Sequence, residues 1–142
     1  MKRYTNKRSE RGLTLFELLV VLAILAFLAT LVAPRVIGYL GRAKGDVARS
    51  QASNIAASLE LFFLDFNRYP TAQEGLAILV EAPPNTPQWR GPYLKDASGL
   101  IDPWGRSFLY DVGNGETSFE VISLGRDGAE SGKGEDADIH KN

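Results

Sequence analysis

The sequence predicts an α+β fold in which one long N-terminal helix, apolar in its first part and amphipathic in its second, packs on a small antiparallel sheet with long connecting loops. Three observations carry this. An apolar run covers residues 13–33, a helical stripe follows it, and two strand-like segments flank a glycine-rich turn near the C-terminus. A chain of 142 residues with 44% hydrophobic content has room for one modest globular core and not for two.

The run 13–33 holds about 21 residues, which at about 1.5 Å each matches a bilayer hydrocarbon core of about 30 Å. Lys2, Arg3, Lys7, Arg8 and Arg11 precede it, opposed only by Glu10. The positive-inside rule then keeps the N-terminus in the cytoplasm and translocates the rest. A cleaved secretory signal has a shorter apolar region, about 7 to 15 residues, and ends at a small-x-small site that this run lacks. Glu17 is the ionisable residue inside the run. A carboxylate in hydrocarbon is costly and is tolerated when it meets a partner. No basic residue lies within a turn or two downstream of it, so that partner is expected to come from elsewhere.

After Pro34 the apolar positions are Val36, Leu40, Ala43 and Val47, then Ala48, Ala52, Ile55, Leu59, Phe62 and Phe66. The second set makes one helical stripe, with Arg49, Gln51, Asn54, Ser58 and Asp65 on a polar face. One helix is expected over 13–66. Pro34 removes a helical hydrogen bond, and Gly38, Gly41 and Gly45 weaken the segment beyond it.

Residues 67–99 are rich in turn formers around one short helical pattern at 71–81. Segments 106–112 and 118–124 have strand composition and are joined by Gly113-Asn114-Gly115. A sheet laid on the helix stripe would bury Phe62, Phe66, Trp104, Phe108, Tyr110, Phe119 and Val121.

Several function classes are excluded. A formal charge of -1 leaves no basic surplus for a nucleic-acid backbone. Without cysteine there is no disulfide, thiolate nucleophile or Cys-based zinc site. The single histidine, His140, reads as a solvated tail residue, and no G-x-S-x-G elbow is present, so no enzyme is expected. Residues 127–138 set several carboxylates on a backbone loosened by Gly128, Gly132 and Gly134. Hard oxygens on an adaptable loop suit calcium, and a solvated acidic tail has the same composition. Ala129 at the third position rejects an EF-hand, and Gly128-Ala-Glu-Ser-Gly-Lys133 is one residue short of a phosphate loop.

Arg11-Gly12-Leu13-Thr14-Leu15-Phe16-Glu17 resembles the processing site of type IV pilin-like precursors. Asn67-Arg-Tyr-Pro-Thr-Ala-Gln-Glu-Gly-Leu76, Trp89-Arg-Gly-Pro-Tyr-Leu94, Asp102-Pro-Trp-Gly-Arg106 and Ser123-Leu-Gly-Arg-Asp-Gly128 narrow the likeness to the major pseudopilins of type II secretion systems, the G subunits. That resemblance implies a pilin-like fold with three parts: a cytoplasmic leader at 1–12, a transmembrane and polymerisation helix at 13–33, and a periplasmic domain at 34–142. A prepilin peptidase would cut between Gly12 and Leu13 and N-methylate Leu13, although the family usually carries phenylalanine or methionine there. Leu13, Thr14, Glu17 and Pro34 would serve assembly, with Glu17 facing the new ammonium at Leu13 of a neighbouring subunit.

The same resemblance implies an inner-membrane protein that becomes a periplasmic homopolymer, working with minor pseudopilins and the inner-membrane secretion platform to export folded proteins. It also implies a calcium ion, with Asp127, Asp138, Asp136 and the Leu124 carbonyl as ligands and Glu135 as an alternative to Asp136. The competing expectation is a type IV pilus or competence pilin for adhesion, motility or DNA uptake, which usually has a C-terminal disulfide loop that this chain lacks.

Overall fold

Thr14 caps the first helix of the computed structural model, which describes residues 14–113, 115 and 117–142. The backbone N–H of Glu17 donates to Thr14 Oγ1 at 3.2 Å, satisfying one of the amides a helix start leaves unpaired. The helix, α1, runs Leu15–Phe66 with Pro34 inside it. Asn67 ends it with φ 53°, a left-handed C-terminal cap that asparagine tolerates, while its amide still donates to the Phe63 carbonyl at 2.7 Å. The chain divides into two units, Met1–Gly38 and Tyr39–Asn142.

In the first unit the large apolar side chains of α1 are exposed, from Leu15 through Phe27 to Ile37. None of the unit's described residues covers them. In the second unit one face of α1 is buried: Gly41, Ala48, Ala52, Ile55, Ala56, Ser58, Leu59 and Phe62. Small residues lead this stripe and large ones end it, so the domain's core lies against the last turns of the helix. Ile55, Leu59 and Phe62 are fully buried with Leu79 and Val121, each worth about 1.5–3 kcal/mol relative to exposure. The Phe62 ring stacks on Phe66 at 4.3 Å and meets the edge of Tyr93 at 5.6 Å.

Three antiparallel strands cover this face in the order β1-β2-β3: β1 Leu109–Val112, β2 Phe119–Ser123 and β3 Ile139–Lys141. Tyr110 pairs with Val121 and Val112 with Phe119, while Ser123 pairs with Ile139. Phe119, Val121 and Ser123 alternate inward on the central strand, the period-two pattern of a half-buried strand. Phe62, Phe108, Phe119 and Val121 are buried as the sequence predicts, whereas Phe66, Trp104 and Tyr110 are only half-buried around the rim.

The structure corrects four expectations. The strands are shorter than 106–112 and 118–124, because Arg106 closes a turn and Ser107 makes only an isolated bridge with Ile101. β3 was not expected, and His140 lies on it rather than in a free tail; its Nδ1 is 2.9 Å from Glu120 Oε1. Ser58 belongs to the buried face, since its hydroxyl donates to a carbonyl, with the Asn54 and Tyr93 oxygens each at 2.9 Å. The 71–81 helix is reduced to a turn and a 3₁₀ segment, Leu76–Leu79, because Gly75 takes φ 58° and cannot continue a right-handed helix. Asn114 of the expected Gly113-Asn114-Gly115 turn lies outside the described residues.

The turn before Gly75 is a capping box. The Thr71 amide donates to Glu74 Oε2 at 2.7 Å, and the Glu74 amide donates to Thr71 Oγ1 at 3.2 Å. Arg68 closes it with two bonds to the Glu74 carboxylate at 2.7 and 2.8 Å. Those Arg68 bonds, against the opposing effect of burial, hold the Glu74 carboxyl at about 2, below its ordinary value of 4.5. A carboxyl depressed on folding stabilises the fold fully above its unfolded value, and the gain is lost as pH falls from about 4.5 through about 2. Urea midpoints of the detergent-solubilised chain, followed by Trp89 and Trp104 fluorescence, should drop across that window. Glu74→Gln should flatten the drop. Parallel wild-type and Glu74→Gln curves would contradict the assignment.

Candidate functional site

Of the residues expected to serve assembly, Gly12 and Leu13 lie outside the described residues, as does the basic stretch before them. Thr14 and Glu17 sit together at the α1 start, with Glu17 at the third helical position and exposed. A carboxylate there also meets the positive end of the helix dipole. Pro34 lies within α1, and the helix runs through it without a break.

The second unit carries an outward face on α1 that the sequence alone does not separate from the core. Positions 40, 43, 47, 50, 54, 57, 61 and 64 alternate steps of three and four, and all are exposed. Leu40, Val47, Leu61 and Leu64 supply its apolar ends, with Leu64 78% exposed. Ala43, Ser50, Asn54 and Ala57 keep its middle narrow. A 3.5-residue repeat is the pattern of a seam between helices. Val36, Leu40, Ala43 and Val47 thus lie outside the buried face that includes Gly41 and Ala48.

The C-terminal loop is anchored by a buried carboxylate. Asp102, 4% exposed, accepts through Oδ1 from the amides of Trp104 and Arg106 at 3.0 and 2.9 Å, and through Oδ2 from the Ser123 hydroxyl at 2.8 Å. Gly105 makes this turn possible with φ 87°. Arg106 leaves the turn and donates to the Gly125 carbonyl. Gly125 itself has φ 61°, and a side chain there would run into the backbone of Asp136 and Ala137.

The expected cation ligands are distributed over this loop in two groups. Asp138 and Leu124 line a recess of about 280 Å³ with Leu109, Ile122, Glu130, Ser131 and His140. Asp138 Oδ2 accepts from the Ser131 amide at 2.9 Å, while its Oδ1 is buried without a partner among the described residues. The Leu124 carbonyl accepts from the Gly128 amide at 3.1 Å. Asp127 Oδ1 accepts from the Ala129 amide at 3.1 Å. Asp136 points to a different partner: Arg126 Nε and Nη2 donate to its two oxygens at 2.8 and 3.0 Å, and Arg126 Nη1 donates to Glu135 Oε2 at 3.3 Å. The Asp136 bonds, with the nearby Glu135 and Asp127 charges, push the Arg126 guanidinium up from its ordinary value. Among the described residues, no three Asp, Glu, His or Cys side chains converge as a ready metal cage.

Sequence reasoning missed Arg126, Arg106, Ser131 and the outward α1 face. Arg106 and Arg126 fall inside motifs of the resemblance, but spacing does not say what they bind, and a lone serine in a glycine loop fits any surface. The face was legible in its spacing but merges with the neighbouring core stripe.

Comparison with known proteins matches residues 35–142 to the family described as type II secretion system (T2SS), protein G, and residues 7–33 to the prokaryotic N-terminal methylation motif. The type II secretion system core protein G of Pseudomonas aeruginosa is 41% identical over 138 residues, covering 94% of this chain and 96% of that protein. That of Xanthomonas campestris is 35% identical, covering 96% and 93%. A crystal structure of the major pseudopilin from the type 2 secretion system of enterohaemorrhagic Escherichia coli aligns with a TM-score of 0.56 at 28% identity, over 73% of this chain and 90% of that one.

Proposed function

On the premise that the chain belongs to the type II secretion system protein G family and is a pseudopilus subunit, we propose how its residues perform that task. The precursor is cut by a prepilin peptidase between Gly12 and Leu13, and Leu13 is N-methylated. The subunit waits in the bacterial inner membrane, spanning it once, with its C-terminal domain in the periplasm. It then leaves the bilayer to join a homopolymer, together with minor pseudopilins and the inner-membrane secretion platform. Growth of that polymer drives folded proteins across the outer membrane. The match to protein G relatives over nearly the whole chain favours this reading over a type IV pilus or competence pilin.

The observation that carries the homopolymer is the uncovered surface of α1. Exposed leucines and valines from Leu15 to Ile37 suit lipid in the monomer and a bundle of like helices after extraction. The outward stripe from Leu40 to Leu64 suits the same partner, a second copy, because its heptad spacing fits another helix. Glu17 would face the Leu13 ammonium of the neighbour, two charges that are tolerable in an apolar bundle only as a pair. Glu17→Ala should therefore insert and be cleaved normally yet give few filaments when sheared material is quantified. Wild-type filament yield from Glu17→Ala would refute the pairing.

We also propose calcium at the C-terminal loop. The recess that Asp138 and Leu124 both line, and an Asp138 Oδ1 without a partner among the described residues, support a hard cation there. Asp138, Asp127 and Leu124 would hold it, with Asp136 joining if it turns from Arg126. Such an ion would tie β3 to the turn after β2, a fastening that disulfides provide in other exported domains. Calcium should raise the melting temperature of the purified chain and chelator should lower it. A melt indifferent to both would overturn this assignment.

A further inference from the structure

We propose that Arg126 is a built-in counter-cation that closes the C-terminal loop when no metal is bound and competes with a bound cation for Asp136. The first half stands on geometry alone. The second rests on the calcium reading above.

Five carboxylates crowd residues 127–138: Asp127, Glu130, Glu135, Asp136 and Asp138, with Lys133 as the cation among them. Left uncompensated, their repulsion would open the loop. Arg126 counters it from the position just before. Its guanidinium grips both Asp136 oxygens in a fork, at 2.8 and 3.0 Å, and reaches Glu135 at 3.3 Å. The backbone repeats the closure, since the Arg126 amide donates to the Glu135 carbonyl at 2.9 Å. The side chain of Glu135 rests against α1 at Gly41, in the space a side chain at position 41 would take. The fork thus fastens residues 135 and 136 beside both the β2 exit and the helix.

The geometry also explains why the fastening is reversible. Arg126 is more than half exposed, and ion pairs so placed are weak compared with buried ones, although a bidentate fork is the strongest kind of exposed pair. A divalent cation binding at Asp138 and Leu124 would attract Asp136 more strongly than the solvated guanidinium does. Asp138 lines the recess and stands outside the fork, and its Oδ1 has no partner among the described residues. An arginine stays charged across the physiological range. Metal, not proton loss, is therefore the release signal.

Hydrogen exchange on the full chain in detergent tests this, comparing wild type, Arg126→Gln and Arg126→Lys with chelator and with calcium. In chelator, amides of residues 126–136 should exchange about two- to fivefold faster in Arg126→Gln, with Arg126→Lys between the two. In calcium the difference should shrink, and Arg126→Gln should bind calcium more tightly than wild type, because Asp136 is already released. Equal exchange in chelator would overturn the closure. Equal calcium affinities would overturn the competition. If neither chain responds to calcium, the calcium reading and the competition both fail, while the chelator comparison still decides the closure.

Discussion

The apolar surface of α1 exceeds what the described residues cover, and the rest of the molecule follows from that excess. The sheet and its loops shield one face of the second unit, from Gly41 to Phe62. The segment from Leu15 to Ile37 and the stripe from Leu40 to Leu64 stay open. A lipid bilayer solves the first problem for a single subunit. It does nothing for Leu61 and Leu64, which lie among the last turns of the helix. A polymer of like helices solves both, and family membership identifies that polymer as a pseudopilus. Under the proposed pairing, Glu17 would give such a bundle something that apolar surface lacks, a single position at which sliding leaves a charge unpaired.

A domain with one face of its helix buried and another left exposed has a small core, and no cysteine is present to reinforce it. Polar devices do that work. The Asp102 carboxylate takes three donors from a turn and from β2. The Thr71–Glu74 capping box is clamped by Arg68. Trp89 Nε1 donates to the Ile78 carbonyl at 2.8 Å, and Tyr93 OH donates to Asp65 Oδ2 at 2.7 Å. Each device lies in one of the motifs that carry the family resemblance. Those motifs are therefore mainly hydrogen-bonding solutions to the loop problem, holding long connections against α1 where regular structure is scarce.

Much of the fold was legible in the residues because it depends on periodicity. The buried stripe through Ile55, Leu59 and Phe62 and the inward alternation of β2 both follow from spacing. The elements that escaped are those with too few residues to show a period. β3 has only Ile139, His140 and Lys141, and its polar composition resembles a tail until β2 supplies a partner. Ser58 looks solvent-facing by residue type and is buried because two carbonyls stand within reach of its hydroxyl. At the C-terminal loop, composition marked the carboxylates but could not say that Arg126 sits on two of them, since that depends on a fold-back of about ten residues. The outward stripe was visible as spacing, yet only burial separates it from its neighbour.

In the assembled pseudopilus a second copy should cover the outward face of α1. With no native cysteine, Leu64→Cys places one thiol on that stripe, and Arg90→Cys places one on an exposed loop as a control. A water-soluble maleimide should label both in detergent-dispersed subunits. In assembled pseudopili, label at Leu64→Cys should fall sharply while label at Arg90→Cys persists. Equal labelling of Leu64→Cys before and after assembly would mean that the stripe faces solvent in the polymer, and would contradict the claim.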